Sequence, residues 1–324
     1  MLKLFKQYSI GQILVITLTV ILLWGRAFVS PVDMSVCNHF SPIYSLAYDA
    51  LTSMPRLASL VALLLVVGQG ISLNIILANY KMSNAHSLLP LFIYIVVMSW
   101  NTNMLTITPF LLASIPFLAT SRRLLSEGTT HLSTENNFYA SFCIGLMTLC
   151  YIHTFCYILS FAFVFVIYKL YRWRDFITAI LGFIAPFIIL FTYAFLVDKL
   201  DYDLILIHYD LTNLKLQWLS APLLQKVPSF ILIAILAASL AKQIFSLNDR
   251  TVNQRINTGI ICLPLLASVL MAFYTEPKSL VVQSLALPFA FLGTRFFMAE
   301  RKRQWISETL LWIFILSALI NMFF

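Results

Sequence analysis

The acidic residues of this sequence are concentrated in two stretches, residues 27–56 and 198–227, which separate long apolar runs. The acids are Asp33 and Asp49 in the first stretch, and Asp198, Asp201, Asp203 and Asp210 in the second. Histidines and cations accompany them: His39, Arg56, Lys199, His208, Lys215 and Lys226. A carboxylate can accept a proton from a hydroxyl group or hold a metal ion, and arginine or lysine can bind phosphate. If the two stretches fold over one another, these groups form one site suited to a lipid-linked sugar phosphate.

Signatures of other chemistries are absent from the sequence. It contains no HExxH or GxSxG motif, no glycine-rich phosphate loop and no zinc-type cysteine spacing. No acidic residue falls in the middle of an apolar run, where ion-coupled transporters normally carry one. The sequence therefore argues against a proton or sodium antiporter.

The composition sets the class of protein. Of the 324 residues, 60% are hydrophobic and only 10% are charged, whereas soluble domains carry about 25% charged residues. The net charge of +8 comes from short basic clusters between apolar runs, as in membrane topology signals, and not from a basic face that could bind nucleic acid. We therefore predict an all-α, polytopic integral membrane protein with a single transmembrane domain, residues 1–324.

Eleven apolar segments can be drawn as transmembrane helices. They are approximately residues 9–26, 57–78, 87–103, 105–120, 138–151, 154–170, 176–197, 228–246, 258–275, 279–298 and 305–323. The fifth and sixth segments form one apolar stretch with basic residues at both ends, so we predict a helical hairpin that turns at His153 and Thr154. The first segment is interpreted as a transmembrane helix and not as a cleaved signal peptide, because no small-residue cleavage site ends it.

The distribution of basic residues predicts the orientation of these helices, since cytoplasmic loops are enriched in lysine and arginine. With the N-terminus in the cytoplasm, the cytoplasmic side receives Lys3, Lys6, Lys81, Arg122, Arg123, Lys169, Arg172, Arg174, Lys242, Arg250, Arg255, Arg295, Arg301, Lys302 and Arg303. The opposite side receives Arg26, Arg56, Lys199, Lys215, Lys226 and Lys278. We therefore predict a bacterial inner-membrane protein whose C-terminus is periplasmic.

In this topology, both acidic stretches become long external loops, 27–56 and 198–227. In the first loop, Ser41 is suited to cap a helix and Pro42 to begin it. Apolar residues follow at helical spacing: Ile43, Leu46, Ala47, Ala50, Leu51 and Met54. In the second loop, Leu211, Leu214 and Trp218 can share one helical face. We expect an amphipathic helix at the membrane surface in each loop.

The central part of the chain resembles an uncharacterised family of Bacteroidota inner-membrane proteins of about this length. The residues that carry the resemblance are Phe138, Ala140, Phe142, Ile144 and Gly145, then Trp173, Arg174 and Asp175, then Gly182 and Pro186, and finally Tyr193, Ala194 and Phe195. The resemblance implies a bacterial inner-membrane protein, and no activity comes with it.

The predicted topology is similar to that of the GT-C superfamily of membrane glycosyltransferases. These enzymes have a long first external loop after helix one and another long loop between helices seven and eight, both with helices at the membrane surface. An acidic residue of the first loop acts at their catalytic centre, and Asp33 occupies the matching position. The likeness implies that Asp33 is a general base or a ligand of a divalent metal ion.

Three hypotheses follow for the function. The first is a GT-C-like glycosyltransferase, or a related polyprenyl-linked glycan-processing protein, acting on the periplasmic face. Its catalytic residues would be Asp33 and Asp49, and its substrate-binding residues would be His39, Arg56, His208, Asp210 and Lys215. Its partners would be membrane lipids, among them polyprenyl phosphate, and no nucleic acid.

The second hypothesis is a non-enzymatic subunit of a membrane complex for export, motility or envelope assembly, which would bind membrane-protein partners. The third is a transporter or flippase.

Overall fold

The computed structural model describes residues 2–6, 10–32, 34, 41–84, 86–126, 132–168, 172–198, 223–246, 251–274, 278–298 and 304–323. The described residues form α-helices and short 3₁₀ turns, with no β-strand among them. The helices are α1 (Leu2–Lys6), α2 (Ile10–Val29), α3 (Pro42–Leu51), α4 (Pro55–Asn79), α5 (Leu89–Met98), α6 (Pro109–Ser126), α7 (Thr134–Cys150), α8 (Tyr157–Ile167), α9 (Trp173–Leu196), α10 (Leu223–Phe245), α11 (Val252–Cys262), α12 (Pro264–Tyr274), α13 (Lys278–Ser284), α14 (Ala286–Met298) and α15 (Gln304–Phe323).

Several helices begin where the sequence supplies a start signal. Pro42, Pro55 and Pro109 are the first residues of α3, α4 and α6, a position at which the missing N–H of proline removes no hydrogen bond. At α7, the N-cap Ser133 accepts a hydrogen bond through its Oγ from the backbone N–H of Asn136, at 3.3 Å. Local chemistry therefore sets these boundaries before any helix packing is considered.

Six stretches of the described residues are long and apolar enough to cross a membrane. They are Ile10–Val29, Pro55–Asn79, Trp173–Leu196, Pro228–Phe245, Val252–Ala272 and Trp305–Met322. Their lengths of 18 to 25 residues match the roughly 20 residues that a helix needs to span hydrocarbon. The all-α architecture and the membrane-protein class are thus supported, whereas the count of eleven spans stays a prediction.

The centre of the molecule is built around α5, whose ten residues are all buried. It contacts α2, α4, α13, α14 and α15. A polar contact fixes part of this packing: Gln69 of α4 accepts hydrogen bonds through Oε1 from Tyr94 of α5 and Ser114 of α6, both at 2.9 Å, and its Nε2 donates to the Leu111 carbonyl at 3.0 Å. Such bonds join helices within a membrane, where unpaired polar groups are costly.

The helices α7 and α9 approach closely because glycines lie at their contact. A Cβ atom added to Gly182 of α9 would lie 2.6 Å from the carbonyl oxygen of Phe138, and one added to Gly145 of α7 would lie 2.5 Å from that of Phe183. At both positions a side chain would collide with the backbone of the facing helix. These two residues belong to the motif through which the sequence resembles the Bacteroidota family.

The contacts separate the bundle into two ends. At one, which we call the α3 end, α3 lies beside residues 99–108 and Ile152. The end of α15 contacts the same residues 99–108 through Asn321 and Met322, and the Arg26 guanidinium donates to the Met322 carbonyl. At the other, which we call the arginine end, Arg295 donates to the Met82 carbonyl, Lys242 to the Phe296 carbonyl, and Tyr80 to the Arg122 carbonyl. These basic residues were all predicted to share the cytoplasmic side, and they do gather at one end.

Candidate functional site at the α3 end

The structure describes two of the residues predicted to form the site. Asp49 lies on α3 and Arg56 in the first turn of α4, and both side chains are exposed. The other predicted site residues are Asp33, His39, His208, Asp210 and Lys215, and all five lie outside the described residues. Whether the two acidic stretches converge therefore stays a prediction.

A helix, α3, is present within residues 27–56, whereas the assignment of that stretch to an external loop stays a prediction. Ser41 is its N-cap residue and Pro42 its first residue, as the sequence indicated. The Ser41 hydroxyl does not cap its own helix, because it accepts a hydrogen bond from the backbone N–H of Ile152 at 3.3 Å. On the same side, the Tyr44 hydroxyl donates to the Ile107 carbonyl at 3.2 Å. These bonds attach α3 to two other parts of the bundle.

The face of α3 that packs against the bundle differs from the apolar face that the sequence suggested. Tyr44 and Ser45 are buried, whereas Leu46, Asp49 and Ala50 are exposed. Tyrosine can combine an apolar ring with a hydrogen bond to a buried carbonyl, which favours it at the contact. The exposed apolar residues suit contact with lipid, so a position of α3 at the membrane surface stays a prediction that this geometry permits.

Residues 99–108, which we call the buried segment, form the floor beneath α3. The predicted segments 87–103 and 105–120 each contain a helix, but their facing ends are wrong: α5 ends at Met98 and α6 begins at Pro109. Between them lies a 3₁₀ turn at Thr102–Met104, where the sequence predicted a boundary near residue 104. Most of the segment is buried, including Ser99, Trp100, Thr106 and Thr108. Non-helical backbone is tolerated at membrane depth only where the protein supplies its hydrogen bonds.

Four other elements supply the hydrogen bonds of the buried segment. Trp24 of α2 donates from Nε1 to the Ser99 hydroxyl at 2.9 Å, and Asn321 of α15 donates to the Trp100 carbonyl at 2.8 Å. From the segment itself, the Thr108 hydroxyl donates to Oε1 of Gln283 in α13 at 2.8 Å. Tyr44 of α3 completes the set through the Ile107 carbonyl. The floor of the candidate site is therefore bonded to four other elements, although Trp100 Nε1 and Thr106 Oγ1 within it have no hydrogen-bond partner among the described residues.

A second break lies where the sequence predicted a hairpin turn at His153 and Thr154. There α7 ends at Cys150, the 3₁₀ turn Ile152–Cys156 follows, and α8 begins at Tyr157, so a break in the apolar stretch is confirmed. His153 is buried and its ring lies 5.0 Å from the ring of Tyr151. Its side chain is thus part of the packing at the α3 end.

The described residues of this end have limited chemistry of their own. Among them, no three histidine, cysteine, aspartate or glutamate side chains come close enough to hold a metal ion, and a metal-ligand role for Asp33 stays a prediction because Asp33 lies outside that part of the chain. What they provide is a buried, hydrogen-bonded floor, a helix with exposed apolar residues, and the exposed Asp49 and Arg56 on either side of the turn at residues 52–54.

The buried segment was missed because its signal lies in local polarity and not in hydropathy. The run from Ser99 to Thr108 includes Asn101, Thr102, Asn103 and Thr106 within a stretch that reads as apolar on average. Short polar side chains of this kind bond to nearby backbone and compete with a helix, as Asn101 does by accepting from the Asn103 N–H. Their density could have indicated the break.

Comparisons with models of known protein families, with curated proteins and with solved structures find no match for this chain.

Proposed function

We propose that this protein is an integral membrane glycosyltransferase of the GT-C kind, which transfers a sugar from a lipid-linked phosphate at the α3 end of the bundle. The observation that supports it best is the attachment of α3. This first-loop helix is held against the buried segment through Tyr44 and against Ile152 through Ser41, while Asp49 and Arg56 remain exposed. A fixed helix at the mouth of the bundle can hold a reacting group in a constant position.

The exposed apolar face of α3 fits the substrate class. Leu46 and Ala50 would rest against the bilayer, as in helices that lie in the membrane interface. A lipid-linked donor keeps its hydrocarbon tail in the bilayer and its phosphate at this same depth. Arg56, with Lys215 from the second loop, would bind that phosphate by charge-assisted hydrogen bonds.

In the proposed reaction, Asp33 takes the proton of an acceptor hydroxyl as its oxygen attacks the anomeric carbon of the sugar. The bond between that carbon and the phosphate oxygen breaks, and the lipid phosphate leaves with the bonding electrons. In the alternative role, Asp33 would instead hold a divalent metal ion, which would supply positive charge near the leaving phosphate. Asp49, His39, His208 and Asp210 would hold the sugar and the acceptor.

The gathering of cations at the arginine end supports the proposed orientation. Arg122, Arg295 and Lys242 would face the cytoplasm of a bacterial inner membrane, and the α3 end would face the periplasm. The C-terminal helix α15 ends beside Arg26, which suits a periplasmic C-terminus and a cytoplasmic N-terminus.

The test is native mass spectrometry of the protein purified in mild detergent. We expect the wild type to retain a polyprenyl phosphate, and Asp33→Asn to retain the same lipid with its sugar still attached, because the base is missing and transfer stops. Asp49→Asn tests the second carboxylate in the same way. The matched control is Glu308→Gln, which removes a carboxylate near the start of α15, away from the α3 end. This variant should behave as the wild type does.

Two results would contradict the proposal. If Asp33→Asn carries the same mixture of lipids as the wild type, Asp33 is not the base. If the wild type carries a stoichiometric protein partner and no lipid phosphate, the chain is a subunit of a membrane complex, and the acidic loops are its docking surface.

A further inference from the structure

A groove of about 850 Å³ runs along the outside of α4 and α6 and ends among arginines. Its apolar part is lined by residues such as Leu64, Ile75 and Ile115, which are 63%, 52% and 46% exposed. From Leu64 to Asn79 it follows sixteen residues of α4, and the rise between the first and the last is about 22 Å at 1.5 Å per residue. That exceeds half the thickness of a hydrocarbon core of about 30 Å, so the groove is long enough for the chain of a lipid in one leaflet.

The groove is deeper at one position, where α4 carries a glycine and the backbone is not covered by a side chain. Gly68 of α4 lines the groove, and a Cβ atom added there would meet nothing within 4 Å. The glycine is therefore not required by a close helix contact, in contrast to Gly145 and Gly182. Its effect is to let a long apolar ligand lie directly against the backbone of α4.

Arg122 and Arg123 line the groove where it reaches the arginine end, and both are exposed. Arg123 is held in place: its guanidinium lies 4.7 Å from the centre of the Tyr139 ring and donates to Oδ1 of Asn136 at 3.4 Å. None of the described residues that line the groove is acidic. Two guanidinium groups without a neighbouring carboxylate in this lining favour an anionic ligand, and phosphate is the anion whose geometry arginine matches.

The apolar and charged parts of the groove together identify one ligand. A soluble anion would use the arginines and leave the apolar walls unused, while a neutral lipid would use the walls and leave the arginines unused. We propose that the groove binds one anionic phospholipid, with its phosphate on Arg122 and Arg123 and one acyl chain along α4 and α6 past Gly68. This site lies at the opposite end of the bundle from the proposed transfer site and does not depend on it.

The test uses the full-length protein in detergent, mixed with phosphatidylglycerol or with zwitterionic phosphatidylcholine and examined by native mass spectrometry. We expect one phosphatidylglycerol to be retained in preference to phosphatidylcholine. An arginine near an anionic lipid contributes about fivefold in binding, so Arg122→Gln combined with Arg123→Gln should weaken retention by about 25-fold. The single change Arg122→Gln, which leaves the contacts of Arg123 intact, should weaken it by about fivefold.

Filling the groove tests the apolar half of the site separately. Gly68→Phe should displace the lipid without changing the arginines. The matched control is Gly25→Phe on α2, where an added Cβ also meets nothing within 4 Å, and which should leave retention unchanged. A second control, Arg172→Gln with Arg174→Gln, removes two exposed arginines that do not line the groove.

Several outcomes would overturn the proposal. Equal retention of the two lipids, or an equal loss from Arg172→Gln with Arg174→Gln, would show that the net charge of the protein attracts the lipid and that no site is built. Displacement by inorganic phosphate, together with unchanged binding in Gly68→Phe, would show a site for a soluble anion. Unchanged retention in all the groove variants would place the lipid elsewhere.

Discussion

The helices α5 and α9 are both strongly apolar, yet they occupy opposite environments in the molecule. All ten residues of α5 are buried. In α9, which has 24 residues, the buried ones are Asp175, Gly182, Pro186 and Ala194. The side chains that α9 buries are therefore mostly small, while its large ones, such as Ile188 and Phe195, are 59% and 69% exposed.

This contrast shows what decides burial in a membrane protein. Lipid tails are as apolar as leucine, so a large apolar side chain gains little by leaving lipid for protein. What favours contact is close packing between backbones, which α9 achieves through Gly182 against α7, and polar bonds between helices, which α5 makes through Tyr94 and Gln69. A hydropathy profile reports neither close backbone packing nor interhelical hydrogen bonds.

The largest effect is expected where α9 touches α7. In Gly182→Val, the new side chain would lie 2.6 Å from the Phe138 carbonyl oxygen and 2.9 Å from Cβ of Ser141, and overpacking of this kind costs about 3 kcal/mol. We expect a large loss of thermal stability in detergent, measured by monodisperse protein remaining after heating. Gly25→Val is the control, since its Cβ meets nothing within 4 Å. If both variants unfold together, close packing does not hold α9 in place.

An intermediate effect is expected from making the same change in both helices. Ile93 of α5 is fully buried and Ile188 of α9 is 59% exposed. Ile93→Ala should lower the free energy of unfolding by about 2 kcal/mol because it leaves a cavity, and Ile188→Ala by less than about 0.5 kcal/mol because lipid fills the space. Equal losses, measured by unfolding in the same detergent, would mean that the exposed face of α9 is covered by protein.

A smaller effect is expected from removing the hydrogen bonds that Gln69 makes to α5 and α6. Gln69→Leu keeps the size of the side chain and removes its bonds to Tyr94, Ser114 and Leu111. Interhelical bonds of this type contribute about 0.6 to 1.7 kcal/mol in membranes, so we expect a loss of about 1 kcal/mol. The control is Ser72→Ala on the same helix, whose hydroxyl bonds only to the Gly68 carbonyl one turn away. If Gln69→Leu leaves the free energy of unfolding unchanged, the hydrogen bonds of Gln69 do not stabilise the packing of α5.

Much of the helical framework could be predicted from the sequence. Segment 57–78 corresponds to Pro55–Asn79, and segment 176–197 to Trp173–Leu196, because a long apolar run bounded by polar residues has few alternatives in a membrane. The start of α3 followed from the preference of proline for the first helical position, here Pro42, although the Ser41 hydroxyl bonds to Ile152 and does not cap the helix. Local rules and hydropathy are sufficient for features of this kind.

The packing at the candidate site could not be predicted in the same way. The face by which α3 attaches depends on a carbonyl at Ile107 that is free only because residues 99–108 are not helical. That break in turn depends on partners from α2, α13 and α15, which lie far away in the sequence. The groove beside Arg122 and Arg123 is likewise lined by residues of α4 and α6 together, so neither segment alone could have predicted it.

The buried segment also has a consequence for how the protein is made. Its Trp100 carbonyl is bonded by Asn321, and its Thr102 hydroxyl bonds the Met322 carbonyl, partners 221 and 220 positions away. At about 5–20 residues per second, translating that interval takes roughly 10–45 s. Throughout that interval, the polar groups of residues 99–108 that bond to α15 lack their final partners. The buried segment therefore reaches its final packing only after α15 has been made, and a chain halted before α15 would expose these groups to proteases.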